Sequence, residues 1–527
     1  MKLWKAAVIF VFCAPGVVSA AQDQARPADQ KNVYEAAANE VKRGHADAAI
    51  GLLAPLIQSN PGDYKGLTVM GMALASADKG QEAISMFEKA LAARPGYPPA
   101  LKGLAMSQMS LNRYEAAKAH LEQLLAAAPG DLMAHAELGE IAFAQGRFAD
   151  AIHEFEQSDP LYRNEPRLLI EYARANMQAK QTAKAVAALS AIPENSDAPV
   201  HFEAGALLAS LKVYEAAARQ FELALPNYPD RYSAGFNLVL ARVKAHEYPQ
   251  AVKAGEDLIA KGYKKAELYN VLAEAYEGSG NTKQAYDSLR TATQLEPSDE
   301  TNYIDLITLC LNHKNYDLAS EIAGIGLERI PRSERLHLQF GVVLAMKTQF
   351  EQARKEFELA AQLAPERSLP HVALALISIQ TNRASEAVQQ LRNRVQQYPN
   401  DYLGLWFLGE ALNRSGVAPG SPGQKEAVEA LRHSVQLNPD ISQSQELLGK
   451  LLARDALFDE AALHLERAVS LEPANVAALY QLAQVYSKKG ETARARQLFA
   501  KVGKMKADDR ENFANRGLEQ ILRAENP

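Results

Sequence analysis

Residues 266–299 read AELYNVLAEAYEGSGNTKQAYDSLRTATQLEPSD, and this stretch decides the fold. Apolar side chains recur in it at spacings of three and four residues, in two separate runs, as they do on one face of a helix. The runs are Tyr269, Leu272, Ala273 and Tyr276, then Ala285, Leu289 and Ala292. A Gly-Ser-Gly turn at 278–280 separates them, and Pro297 ends the second run because a proline ring cannot continue a helix. The stretch predicts two packed helices joined by a tight turn.

The same pattern returns along the chain with a period of 34 residues. Prolines mark it, in three runs with 34 residues between members: Pro61, Pro95 and Pro129; Pro297, Pro331, Pro365 and Pro399; Pro439 and Pro473. The unit is numbered here so that its closing proline is position 32. A fixed period of this length is the signature of a solenoid, in which each unit buries its apolar face against its neighbours.

Within the unit, residue size is fixed at the positions where two helices meet. Position 20 is alanine in all fourteen units: Ala49, Ala83, Ala117, Ala151, Ala185, Ala217, Ala251, Ala285, Ala319, Ala353, Ala387, Ala427, Ala461 and Ala495. Position 8 is mostly Gly or Ala, and position 24 mostly Phe or Leu. The small residues let the two helices approach closely, and the large residue fills the space beside them.

These units resemble the tetratricopeptide repeat family over about residues 30–507. The resemblance implies an all-α fold, a right-handed superhelical α-solenoid of about fourteen helix-turn-helix units. We expect a signal peptide at 1–20, a linker at 21–29, the solenoid at 30–507, and a C-terminal capping helix at 508–527 over the last apolar face. The regular pattern is interrupted by irregular joints and by a six-residue insertion in the loop at 415–424.

Composition narrows the class of function. Hydrophobic residues make up 47% and charged residues 23% of the 527, which excludes wholesale disorder. The chain has 63 Asp and Glu and 57 Lys and Arg, which gives a net charge of -6. This negative charge argues against nucleic acid as a partner. Cys13 and Cys310 are the only cysteines, so we expect neither a disulfide framework nor a cysteine zinc site.

The first residues have the three-part pattern of a secretory signal peptide. Lys2 and Lys5 precede an apolar run, and small residues follow at Val18-Ser19-Ala20. We expect cleavage after Ala20 or Ala21 and a periplasmic or extracellular protein. The alternative is an uncleaved anchor, although the apolar run is short for a bilayer. No later stretch predicts a transmembrane helix.

The sequence contains no catalytic motif, so we expect no enzyme, no cofactor and no metal. Gly416, Gly420 and Lys425 in the inserted loop lack the preceding strand and the following Ser or Thr of a phosphate-binding loop. Four histidines fall at position 4 and are interpreted as residues at the edge of the core rather than as ligands: His135, His201, His337 and His371. Cys310 is interpreted as a buried, unreactive thiol.

The resemblance implies that the first helices line a concave groove, with positions 2, 5, 9 and 12 facing a bound peptide or helix. In units two to twelve, 23 of the 33 side chains at positions 5, 9 and 12 are apolar, a share well above the 47% of the whole chain. We therefore predict an apolar partner-binding groove. Its predicted residues are Met72, Met106, Met109, Phe143, Met177, Phe202, Phe236, Glu274, Ile304, Leu338, Val342, Val372, Leu376 and Trp406. The alternative for each apolar residue is packing inside the solenoid.

The repeat at residues 266–299 breaks this apolar pattern. Glu267, Asn270, Glu274 and Glu277 occupy its four inward positions. One interpretation is a solvated face that prevents aggregation, and the other is a contact for a lysine or arginine of the partner.

The resulting hypothesis is a non-enzymatic protein–protein interaction scaffold of the cell envelope that binds an apolar or amphipathic partner segment in its groove. An alternative is a subunit of a secretion, outer-membrane or polysaccharide-export assembly. A remote alternative is a subunit that presents substrate to an enzyme, and a third is a rod that associates with itself through its ends.

Overall fold

The computed structural model describes residues 27–505 of the chain. Within that range there are 29 α-helices and no strand, which confirms the predicted all-α class. The expected signal peptide (1–20) and capping helix (508–527) lie outside the described residues. The first helix begins at Pro27, inside the stretch expected to be a linker.

The chain divides into two compact units after Ala254, within the fifteenth helix. The first unit contains α1 (Pro27–Lys42), α2 (Ala46–Ser59), α3 (Tyr64–Ser76), α4 (Gly80–Ala93), α5 (Pro98–Ser110), α6 (Tyr114–Ala127), α7 (Leu132–Ala144), α8 (Phe148–Gln157), α9 (Leu161–Asn164), α10 (Pro166–Gln178), α11 (Thr182–Ser190), α12 (Ala198–Ser210), α13 (Tyr214–Ala224) and α14 (Arg231–Lys244). The division falls in α15 (Tyr248–Ala260). The second unit contains α16 (Ala266–Gly278), α17 (Thr282–Leu295), α18 (Glu300–Asn312), α19 (Tyr316–Arg329), α20 (Glu334–Met346), α21 (Phe350–Leu363), α22 (Ser368–Gln380), α23 (Ala384–Gln397), α24 (Tyr402–Arg414), α25 (Pro422–Leu437), α26 (Ser442–Arg454), α27 (Phe458–Leu471), α28 (Val476–Lys488) and α29 (Thr492–Met505).

Apart from the four-residue α9, these helices form fourteen pairs, one for each sequence repeat. In each unit, the second helix of a pair also packs on the first helix of the next. Many first helices begin where a side chain accepts a hydrogen bond from a free backbone N–H, as Asp63, Asp131 and Asp401 do. The short α9 fills the irregular joint that the sequence predicts after α8.

The turn within each pair has the same backbone conformation throughout. Position 15 has a positive φ in all fourteen repeats, yet only five of these residues are glycine. The others include Asp78, with φ of 60°, and Asn382, with φ of 61°. A single left-handed residue ends an α-helix and turns the chain back, so nine of the fourteen repeats accept a non-glycine residue in this less favourable conformation.

The core explains the alanine and glycine pattern. The position-20 alanines are 0% exposed in thirteen repeats and 3% exposed at Ala495. Phe87, at position 24, lies so close to two glycines that a Cβ atom at Gly71 would be 2.7 Å from its ring, and one at Gly103 would be 2.4 Å away. The phenylalanine therefore fills the space that glycines of its own repeat and the next leave open.

Candidate functional site

The predicted groove residues all lie on first helices, but their exposure differs between the two units. In the first unit six are partly exposed: Met72, Met106, Phe143, Met177, Phe202 and Phe236. Seven are buried: Met109, Ile304, Leu338, Val342, Val372, Leu376 and Trp406. Glu274 is exposed.

The prediction of an accessible apolar groove is wrong for those seven buried residues. Leu338 and Val342 are 0% exposed, and Val372 is 1% exposed. They belong to a continuous core cluster in which successive first helices α20, α22 and α24 contact each other directly. In these repeats the next first helix covers positions 5 and 9, so Leu338, Val342 and Val372 stabilise the stacking of repeats, as the alternative interpretation holds.

In the second unit an accessible cleft lies at the acidic repeat. A cleft of about 280 Å³ opens between α16 and α18. Its base is apolar, formed by Ala273, Leu289 and Leu309. Its polar lining comes from both first helices: Asn270, Glu274, Glu277, Asp305, Thr308 and Asn312. We call this site the acidic cleft.

The carboxyl groups of Glu274, Glu277 and Asp305 give the acidic cleft its charge. Burial, opposed by the charge of Arg335 and assisted by the carboxylates of Asp299 and Glu274, raises the pKa of Asp305 to about 6. A carboxylate that is held among other carboxylates in a partly buried site is stabilised by any cation that enters.

The acidic cleft also presents hydrogen-bonding atoms with no partner. Asn270 Oδ1, Glu277 Oε2 and Thr308 Oγ1 are buried, and none of the three makes a hydrogen bond. The other Glu277 oxygen is bound, at 2.6 Å, to Nε2 of His313. Buried polar atoms are normally satisfied within a protein, so three such atoms around one cleft distinguish it from the rest of the described fold.

The acidic cleft therefore favours a ligand that carries positive charge and several donors. An ammonium group has three N–H donors and a guanidinium has five, and neither has an acceptor to clash with the carboxylates. Among the residues that the structure describes, no group of three His, Cys, Asp or Glu side chains is arranged to hold a metal ion.

The sequence predicts part of the acidic cleft but not all of it. Asn270, Glu274 and Glu277 were predicted from their inward positions. Asp305 and Thr308 come from the next repeat, and Asp305 occupies position 6, which the predicted groove did not include. The only signal in the sequence is an acidic residue at position 6 following an acidic residue at position 9 of the preceding repeat.

The histidines at position 4 have a structural role. His135, His201 and His337 each use Nδ1 to contact a side chain nineteen residues later, at 2.6–2.7 Å. The Nε2 atoms of the same histidines lie 3.2–3.3 Å from a backbone carbonyl at the end of the preceding repeat. These three histidines connect their own repeats to the preceding ones. Cys310 is buried, which raises the pKa of its thiol to about 11 and keeps it unreactive.

Amide groups at the inserted loop make hydrogen bonds within the chain. The backbone N–H of Gly420 and the Nε2 of Gln424 both donate to Oδ1 of Asp455, at 3.2 and 2.7 Å. These two amide groups of the loop thus bind a carboxylate of the same chain.

One curated relative and several solved structures are similar to this chain. The BBSome complex member BBS4 homolog of Drosophila melanogaster is 24% identical over 219 residues, which are 41% of this chain and 43% of that protein. The chain thus matches less than half of that relative. Yeast Tom70 is 17% identical with a TM-score of 0.41, over 88% of this chain and 95% of that one. A chain of the APC/C hetero-tetramer Cut9–Hcn1 is 11% identical with a TM-score of 0.34, over 87% of this chain and 96% of that one.

Family models of the tetratricopeptide repeat match five stretches of the chain. They are residues 34–98, 74–139, 142–211, 266–299 and 452–515, together just over half of its length. Arrays of such repeats present extended binding surfaces and serve as scaffolds for protein–protein interaction. The repeat period, the fourteen helix pairs and these matches agree, and the chain belongs to the tetratricopeptide repeat family.

Proposed function

We propose that this protein is a non-enzymatic scaffold of the cell envelope, and that it holds a partner protein by a segment laid on its first helices. A lysine or arginine of that segment enters the acidic cleft. The observation that carries this proposal is the set of three buried, unpartnered polar atoms beside three carboxyl groups.

The energetics favour a cationic side chain at this place. A hydrogen bond to a charged group contributes about 1.5–3 kcal/mol, roughly twice a neutral one. The acidic cleft is partly enclosed, so salt screens its charges less than those of an exposed face. The apolar base, which includes Ala273 and Leu309, suits the methylene chain of a lysine or arginine, while the charged end binds the polar lining.

The first unit supports an apolar contribution to partner binding. Met72, Met106 and Met177 are partly exposed on first helices, and methionine adapts its shape to different apolar surfaces. Phe143 and Phe202 are also partly exposed, and each packs against another ring: Phe143 on Phe148 at 5.7 Å and Phe202 on Tyr228 at 4.2 Å between centroids. An amphipathic segment with apolar and basic residues would use both kinds of surface.

The location in the cell envelope rests on the N-terminal pattern alone. Lys2 and Lys5, the apolar run and Val18-Ser19-Ala20 support export and cleavage. Among the described helices, none is long and apolar enough to cross a bilayer. Mass spectrometry of the protein purified from its host tests this part: an N-terminus at Ala21 or Gln22 supports export, and an intact Met1 contradicts it.

The acidic cleft is tested by binding of fluorescein-labelled hexalysine, followed by anisotropy at physiological salt. Hexa-acetyllysine, which has no charge on its side chains, is the ligand control. The double variant Glu274→Gln/Asp305→Asn removes two charges from the cleft. The matched control is Glu328→Gln/Glu429→Gln, which removes two charges from exposed residues of second helices in the same unit.

We expect the cleft variant to bind hexalysine at least about tenfold more weakly, a loss of about 1.4 kcal/mol, and the control variant to bind like the wild type. Equal weakening in both variants would show that net charge alone attracts the peptide, and the proposal would then be wrong.

A further inference from the structure

A second group of carboxyl groups, one buried and two partly buried, lies in the first unit. Glu137 and Glu140 are on α7, and Glu171 is on α10, which contacts α7 directly. Glu137 is only 5% exposed, and its Oε2 atom is buried without a hydrogen-bond partner. A nine-tenths buried carboxyl with an unsatisfied oxygen costs free energy, so it requires a structural or functional reason.

The two cations near this group, Lys102 and Arg174, pair with acidic side chains, Glu171 among them, but not with Glu137 or Glu140. Lys102, on α5, acts on Glu137 at longer range, but its Nζ lies 3.6 Å from Asp131 Oδ1. Arg174, on α10, hydrogen-bonds to Glu203 through Nη2, and its Nη1 lies 3.7 Å from Glu171. In the described part of the chain, no ion pair within 4.0 Å reaches Glu137 or Glu140.

The environment of the three carboxyl groups favours their protonated forms. Burial raises the pKa of Glu137, Glu140 and Glu171 above the ordinary glutamate value. The charges of Glu137 and Glu171 raise the pKa of Glu140 further. This environment favours proton uptake by the three carboxyl groups, and a bound cation would favour the release of those protons.

We propose that Glu137, Glu140 and Glu171 form a second binding site, which takes an alkylammonium or guanidinium group carried by a partner segment. The ammonium or guanidinium N–H groups would bind Glu137 Oε2 and the neighbouring carboxylates, and the protons displaced from those carboxyl groups would pass to solvent. The proposal rests on the scaffold function only for the source of the cation. The site itself is separate from the acidic cleft.

The test is carried out on a chain whose acidic cleft is already disabled. In the Glu274→Gln/Asp305→Asn background, hexalysine binding is measured by calorimetry in phosphate and in Tris, buffers with different ionisation enthalpies. The difference gives the number of protons released. The second-site variant is Glu137→Gln/Glu140→Gln, and its matched control is Glu82→Gln/Glu88→Gln, two exposed residues of α4.

We expect the background chain to bind hexalysine with release of protons, and both the affinity and the proton release to be lost in Glu137→Gln/Glu140→Gln. Butylammonium should compete with the peptide, because the site recognises the charged end group. The empty Glu137→Gln/Glu140→Gln protein should melt at a higher temperature than its parent near neutral pH, because a neutral amide replaces a buried carboxyl that loses its proton there. Loss of binding cannot then come from unfolding.

Three outcomes would overturn this second site. One is binding without proton release, and another is equal loss in the Glu82→Gln/Glu88→Gln control. The third is displacement of hexalysine by MgCl₂ far more effectively than by NaCl of equal ionic strength, which would identify a metal site. Failure here leaves hexalysine binding at the acidic cleft of the wild type intact, so the two proposals are tested separately.

Discussion

Asn270 Nδ2 donates a 2.8 Å hydrogen bond to Asn302 Oδ1, joining the first helices of two successive repeats. Asn302, which is fully buried, also donates through its own Nδ2 to the carbonyls of Ala292 and Glu296, at 3.3 and 3.2 Å. Two carbonyl acceptors fix the orientation of the Asn302 amide, so its oxygen must face Asn270. That arrangement leaves Asn270 Oδ1 as an acceptor in the acidic cleft, with no partner in the protein.

Asn302→Ala tests this chain of amides. We expect it to lower the free energy of unfolding by about 1–3 kcal/mol, because buried carbonyls lose their donor. We also expect weaker binding of hexalysine, because the Asn270 amide can then turn its nitrogen toward the acidic cleft. Urea unfolding and anisotropy measure the two effects. Asn312→Ala, at the exposed rim, is the control and should leave stability within about 0.5 kcal/mol of the wild type.

Asp305 makes the acidic cleft sensitive to pH. Its pKa is raised from 3.8 to about 6, so it is neutral in the acidic range and charged above it. Affinity for hexalysine should therefore increase as the pH rises through about 6. For the empty protein the sign is opposite: the raised pKa stabilises the fold below pH 3.8, and this contribution is lost as the pH rises through about 6. Both dependences should flatten in Asp305→Asn, and an unchanged binding profile in that variant would contradict the assignment.

The features of the fold that depend on contacts inside one repeat could be predicted from the sequence. Alanine at position 20 and glycine at position 8 are dictated by the close approach of two helices, and the structure buries every one of the fourteen alanines. Glycine alone does not locate the turn in every repeat. In the repeat containing Lys79-Gly80, the left-handed residue is Asp78, and Gly80 begins the next helix. Glycine is the usual marker of such a turn, but Asp can adopt the same φ.

The features that depend on contacts between repeats could not be predicted. Ile304 and Leu338 occupy the same positions as Phe202 and Phe236, yet the first two are buried and the latter two are partly exposed. How far a first helix covers its neighbour depends on the distance and angle between repeats, which a period of 34 does not encode. For the same reason the sequence shows the acidic residues of one repeat but not that Asp305 of the next completes the cleft.

Matched substitutions at Leu338 and Met106 should separate core from surface. Leu338→Glu places a carboxylate at a fully buried position, and we expect it to destabilise the protein by more than about 4 kcal/mol. Met106→Glu, at a partly exposed position, should cost less than about 2 kcal/mol and leave the helical circular dichroism unchanged. If both variants unfold alike, the partly exposed methionines are core residues, and the apolar surface proposed for the first unit does not exist.

Glycine has opposite roles at two nearby places in the second unit. A Cβ atom at Gly341 would lie 2.4 Å from the buried ring of Phe357, whereas one at Gly324 would meet no atom within 4 Å. Gly341→Ala should therefore lower the free energy of unfolding by about 1–3 kcal/mol, because neither the ring nor the helix has room to move. Gly324→Ala, in the interior of α19, should raise it by about 1 kcal/mol, because alanine favours the helix and its methyl group has space. Thermal and urea unfolding of the two variants measure the difference, and a loss of stability in Gly324→Ala would show that the repeats pack more closely there than the structure indicates.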